Sequence, residues 1–333
     1  KFNFNITKGT ITNFSNSGMI DSKGYGIALQ PDTTITNFNN SGTILTKETN
    51  GRDAVFINKS TIESFSNSGT IKSEGSRGAG INILGGSSIS NFKNSGTIGN
   101  FTVSASTLTN FSNSGTIGNF RASASTLTNF SNSGVIEGDR DVVQINRKAT
   151  IENFENKGTI QGGWSGMFIN GAIIQTLINE GSIISKSSDG VDAGINLQGG
   201  GTIETIINKG TIRSNAYGIG VTNGKFGKLS MQDGAVVHGN YSGISVGQWQ
   251  TLGDLEISGK NTKISGGENG ISLEDNSKSQ KITIKDGAKI EGKWSGINLK
   301  NSANLAGDIN ISGAGSMIKG GTDAGIFNEN SKI

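Results

Sequence analysis

A ten-residue unit, I-x-N-F-x-N-S-G-x-I, returns so often along this chain that only a fold built by repetition can accommodate it. It runs from Ile11 to Ile20, Ile35 to Ile44, Ile62 to Ile71, Ile89 to Ile98, Leu108 to Ile117, Leu127 to Ile136 and Ile151 to Ile160, and it weakens at Ile174 to Ile183 and Ile203 to Ile212. Later segments keep an apolar skeleton, Leu229 to Val236, Leu255 to Ile264, Ile282 to Ile290 and Ile309 to Ile318. Starts are mostly 23 to 29 residues apart. A unit of that length cannot bury an apolar face alone and has to stack on its neighbours. Two copies are shorter, residues 97 to 115 and 116 to 134, and differ only at Thr102 against Arg121 and Val103 against Ala122, the mark of a tandem duplication.

Between successive units lies a second element, G-I-x-L, as in Gly26-Ile27-Ala28-Leu29, Gly194-Ile195-Asn196-Leu197, Gly243-Ile244-Ser245-Val246 and Gly296-Ile297-Asn298-Leu299. Each repeat therefore carries three short apolar segments separated by Gly, Asn and Ser. Short β-branched runs bounded by such residues are strands, and none reaches helical length. With 52 Gly and one Pro in 333 residues, the chain is rich in turns. These features predict an all-β, right-handed parallel β-helix, a three-sided solenoid of about 13 coils continuous over residues 1–333. Coils of the N-F-x-N-S-G kind extend to about residue 224 and G-x-I / G-I-x-L coils follow from about 225. Lys1 opens directly into repeat-like sequence, so the chain reads as a piece of something longer, with bare end coils at Lys1 and Ile333 expected to associate unless covered.

Stacking turns each repeat position into a column. Phe14, Phe38, Phe65, Phe92, Phe111, Phe130 and Phe154 form one, continued by Leu177 and Ile206, and read as core. Asn16, Asn40, Asn67, Asn94, Asn113, Asn132 and Asn156, with Asn179 and Asn208, form the next, read as a buried amide ladder in a turn. Exposed asparagines such as Asn261 are expected to tolerate replacement. The glycine two residues after each ladder asparagine, Gly18 through Gly210, is expected at positive φ.

Coils of this length with G-x-I corners, asparagine ladders and G-I-x-L strands resemble the passenger domains of bacterial autotransporters of type V secretion, over nearly the whole chain. The resemblance implies a signal peptide and a C-terminal outer-membrane β-barrel in flanking sequence, and a place on the bacterial cell surface or in the medium. It implies adhesion to host cells or surfaces as the function. Self-association in biofilms, a toxin-like passenger and a polysaccharide-acting enzyme are the alternatives that ride on such stems.

The residues themselves point away from catalysis. Lys and Arg total 29 against 26 Asp and Glu, with no basic cluster to capture nucleic acid. There is no Cys, so no disulfide or thiolate site. The single His, His238, has no sequence partner for a triad or a metal. Gly243-Ile244-Ser245-Val246-Gly247 matches G-x-S-x-G but falls inside a strand, where no nucleophile elbow forms. Asp139 with Asp141 and Asp189 with Asp192 are the carboxylate pairs that a glycosidase reading would need. No enzyme activity, metal or cofactor is expected. The expected partners are a host-cell glycan or protein, or a copy of the chain itself, with membrane contact only through the implied barrel. Aromatics recur just before the G-I-x-L strand: Trp164, Tyr217, Tyr241 and Trp294. Asp53, Asp192, Glu268 and Asp323 take nearby positions in other coils. This edge is the candidate binding strip, with Trp249 as the next choice.

Overall fold

The computed structural model describes residues 2–47, 51–75 and 77–331; Lys1 and Ile333 lie outside them. The described residues contain no helix. Strands of two to eight residues run in three parallel sheets, wound as a solenoid of about thirteen coils. The chain divides into two compact units. One ends at Gly138 and is completed by Val143–Phe154, and the other comprises Asp139–Val142 with the sequence from Glu155 onward.

In the first unit each coil lays down the N-F-x-N strand in sheet B, a short T-I strand in sheet C and a third strand in sheet A, as in Thr107–Asn113, Thr116–Ile117 and Phe120–Ser123. In sheet B the register pairs Ile89 with Leu108, Asn91 with Asn110, Phe92 with Phe111 and Asn94 with Asn113, and passes over Thr109. That break in the pairing lets Leu108, Phe111 and Asn113 all face inward although the first two are three residues apart. The phenylalanine rings from Phe14 to Phe154 stack with centroids 4.3 to 5.1 Å apart and interplanar angles of 20° or less. Burying each ring contributes about 1.5–3 kcal/mol, before the aromatic contacts themselves are counted. The two 19-residue coils place Phe101 and Phe120 in the sheet A column of Ile81. Both rings stand edge-on to the main stack, and so a second ring fills these shorter coils.

The asparagine column sits inside the corner that follows. Asn113 is fully buried. Its Nδ2 donates to Asn132 Oδ1 at 2.8 Å and to Gly115 O at 3.2 Å, while its own Oδ1 accepts from Asn94 Nδ2 at 2.7 Å. Its backbone carbonyl accepts two more bonds from the next coil, from the N–H of Ser133 at 2.8 Å and of Gly134 at 3.1 Å. The glycine of this corner is not in the left-handed region, contrary to expectation. It is required for space. A Cβ on Gly115 would lie 2.0 Å from Gly96 O, and one on Gly42 2.0 Å from Gly18 O. These same carbonyls accept the next coil's N–H, as Gly96 O does from Thr116 at 2.9 Å.

In the second unit Asn156, Asn179 and Asn208 carry the same amide bonds. The column then changes chemistry: Asn208 pairs with Met231, and Ile257 and Ile284 follow. At this point the long strand Gly224–Met231 is succeeded by two short ones, Thr251–Leu252 and Asp254–Ser258, which both pair with it. Leu229, Leu255, Ile282 and Ile309 continue the column of Leu177 and Ile206, three positions on from the isoleucine with which the sequence skeleton equates them. The buried end of the Leu229 segment is Val237 rather than Val236. On the outer face Glu256 lies between Lys228 and Lys285, at 2.9 and 2.8 Å.

Three outcomes follow from this packing. Asn113→Leu should cost about 1–3 kcal/mol in chemical denaturation, because it strands Asn94 and Asn132 amide groups where no water reaches. Asn110→Leu, on the exposed face of the same strand, should cost much less. Asn261 is unsuitable as that control, since its φ of 71° would strain a leucine. Gly115→Ala should destabilise by about 1–3 kcal/mol or more, because backbone rather than a flexible side chain occupies the Cβ position. The hydrogen bonds from Lys285 and Lys228 hold the Glu256 carboxyl down at about 2, against an ordinary 4.5. A depressed carboxyl stabilises the fold above its unfolded pKa and loses that contribution as pH falls from 4.5 towards 2. A pH series of unfolding midpoints should show this acid limb flattened in Glu256→Gln, with the effect shrinking in high salt.

Candidate functional site

In the second unit the corner leading into most sheet A strands is squeezed between backbones. A Cβ on Gly266 would lie 1.8 Å from Asn269 O, and one on Gly292 1.9 Å from Ser295 O. The residue before the Ser-Gly or Asn-Gly pair is therefore left at the outside of the corner. A backbone ladder orders these residues. Glu268 N–H donates to Tyr241 O at 2.8 Å, Trp294 N–H to Glu268 O at 2.7 Å and Asp323 N–H to Trp294 O at 3.1 Å. Rings and carboxylates thus alternate coil by coil, which puts Tyr241 and Trp294 about 10 Å apart at the usual strand spacing.

The expected strip keeps one register through Trp164, Asp192, Tyr241, Glu268, Trp294 and Asp323, each three residues before the sheet A column of Met167, Ile195, Ile244, Ile271, Ile297 and Ile326, with the buried Ala216 at this position in the Ile219 coil. Trp164 is 45% exposed, with the Arg140 guanidinium 4.9 Å from its ring. Tyr217 stands one residue later in its corner, paired with Ala193, and its ring meets that of Tyr241 edge-on at 5.9 Å. The Tyr241 hydroxyl donates to Ser188 O at 3.1 Å, and Gly190 lies against both rings. These two tyrosines hold down the 186–191 loop. Burial, with the nearby Glu274 and Glu268, pushes the Tyr217 phenol up. Trp294, 44% exposed, stands between the two acids.

Asp53 does not belong to an exposed edge. It is buried in the first unit, where Oδ1 accepts from Ala79 N–H at 2.8 Å and Oδ2 from Asn82 Nδ2 at 2.9 Å, and burial raises its pKa. Asp141 caps the next coil in the same way, accepting from Ser165 N–H at 3.1 Å, again with a pKa raised by burial. His238 Nδ1 lies 3.0 Å from Ser265 Oγ, and burial with Arg213 and Lys263 pushes the imidazole pKa down. Ser245 is in mid-strand, flanked by Gly220 and Ser272. Among the described residues no group of three or more His, Cys, Asp or Glu is placed to hold a metal ion.

Trp249 lies beyond the other end of the sheet A strand Ser242–Val246. It occupies the third position of the turn closed by Gln250 N–H to Gly247 O at 3.1 Å, and is 73% exposed. Its φ is 64°, and the next two coils repeat this left-handed turn with Asn276 at 58° and Ser302 at 59°. Two open grooves meet at the indole. One, of about 310 Å³, is lined by Thr202, Asn223 and Lys225; the other, of about 420 Å³, by Asn276, Lys278, Ser302 and Asn304; Thr251 lines both. The sequence reading missed the two lysines, which become neighbours of the ring only through the register Lys225–Thr251–Lys278–Asn304. It also missed an outer amide ladder, in which Asn110 Nδ2 donates to Asn91 Oδ1 and Asn129 Nδ2 to Asn110 Oδ1, each at 3.0 Å.

No protein-family model matches this chain, and neither a curated protein nor a solved structure matches it.

Proposed function

We propose that the chain acts by attachment rather than catalysis, as the passenger of a bacterial autotransporter displayed on the outer cell surface or released from it. Its partner in this reading is a glycan or protein of a host surface. One observation carries the proposal: all three tryptophans, Trp164, Trp249 and Trp294, are presented to solvent, while the phenylalanine column is buried from Phe38 to Phe154. An exposed indole sacrifices burial in the protein's own core. It offers a partner a large rigid contact area at small entropic cost, which is why tryptophan is enriched at binding hot spots. The solenoid supports the reading by holding such rings in turns between paired strands, so that their spacing is set before any partner arrives.

The test is attachment of purified protein to cultured host cells and to immobilised host matrix. Replacing Trp164, Tyr241 and Trp294 together by Ser should lower attachment about tenfold or more, with the circular dichroism spectrum unchanged. Attachment at the unaltered level by a folded triple variant would remove the corner rings from the site.

A further inference from the structure

We infer that Trp249 and its two grooves form a binding site for an acidic oligosaccharide, one whose sugar units carry carboxylates. The inference rests on the reading of this chain as an attachment protein and assigns a ligand class to one place on it. Left-handed φ is uncommon outside glycine and asparagine, and for a bulky side chain it is a strained outlier. The neighbouring coils meet the same turn with Asn276 and Ser302, so the fold has no need of tryptophan there. Strain retained at an exposed ring marks a residue kept for contact with something else.

The surroundings indicate what that is. A flat apolar ring open to solvent suits the face of a pyranose. Asn223, Thr251, Asn276 and Asn304 supply the hydroxyl and amides that sugar hydroxyls pair with. Lys225 and Lys278 lie one coil to either side of Thr251, about 10 Å apart, and both are exposed. Neither pairs with a carboxylate among the described residues, whereas Lys228, Lys285 and Lys300 do. No Asp or Glu lines either groove. An extended chain laid along the coils would rest one sugar on the indole and direct carboxylates to the two ammonium groups.

Titration calorimetry with oligogalacturonate tests this, set against an uncharged glucose oligomer and a single-stranded oligonucleotide. The uronate should bind, with an affinity that falls as salt rises. Trp249→Asn should weaken it about tenfold or more, as loss of a central ring does, and should leave the melting temperature unchanged or higher because asparagine suits the turn. Lys225→Gln with Lys278→Gln should weaken it comparably and remove most of the salt dependence. A lowered melting temperature in Trp249→Asn together with unaltered uronate affinity would make the ring structural and overturn the inference. So would equal binding of the glucose oligomer or the oligonucleotide. Host-cell attachment by wild-type protein that binds no uronate would overturn this inference alone. Uronate binding lost in the Trp249 variant but without any host-cell attachment would uphold it and remove the attachment reading.

Discussion

How closely one coil approaches the next is decided at the N-S-G corner. There the asparagine carbonyl accepts two backbone N–H groups from the following coil, its amide bonds to the asparagine above, and the glycine carbonyl fills the space a side chain would need. Three bonds and one steric exclusion act on the same few atoms, so the corner fixes spacing and register together. The aromatic column accepts that spacing without distortion. Its centroid separations of 4.3 to 5.1 Å bracket the distance between paired strands, about 4.8 Å, and fall within the range at which offset rings attract.

A buried amide ladder is a specificity device as much as a source of stability. Each interior asparagine satisfies its donors on the next amide and on its own turn carbonyl, so the column is sound only when every coil is in step. A slip of one residue would expose the phenylalanines and strand the amides at once. Where Met231 replaces the asparagine the constraint relaxes. From there the long sheet B strand gives way to pairs of short ones, and methyl packing replaces directed bonds.

The coil period, the three strands and the two inner columns were legible in the sequence because each repeats the same residue at the same offset. What was not legible had a different physical origin. A glycine needed for a left-handed turn and one needed to admit a neighbouring carbonyl look alike on paper, and Gly115 is of the second kind. The later coils were placed three residues out of step because Leu229 resembles Ile11 in type, while the phenylalanine column into which it falls no longer contains phenylalanine. Asp53 read as a surface acid because nothing in its neighbours announces the Ala79 N–H it caps. The site around Trp249 was half visible: an isolated tryptophan is easily noticed, but Lys225 and Lys278 are 53 residues apart in sequence and meet it only after the coils are stacked.

The pair of 19-residue coils has an evolutionary corollary. Each supplies one asparagine to the buried ladder, one to the outer ladder and two phenylalanines to columns that run through both, and their sequences differ at only two positions. Such a segment is a complete modular increment. Unequal recombination within the gene could insert or excise one copy, and the flanking asparagine and phenylalanine columns would close across the change with the same residues in contact. The first unit would then lengthen or shorten by a single strand spacing, about 4.8 Å, at no cost to its interior. Variation in coil number between related strains is therefore the form of diversity this architecture tolerates most readily, ahead of substitution at any of its buried corners.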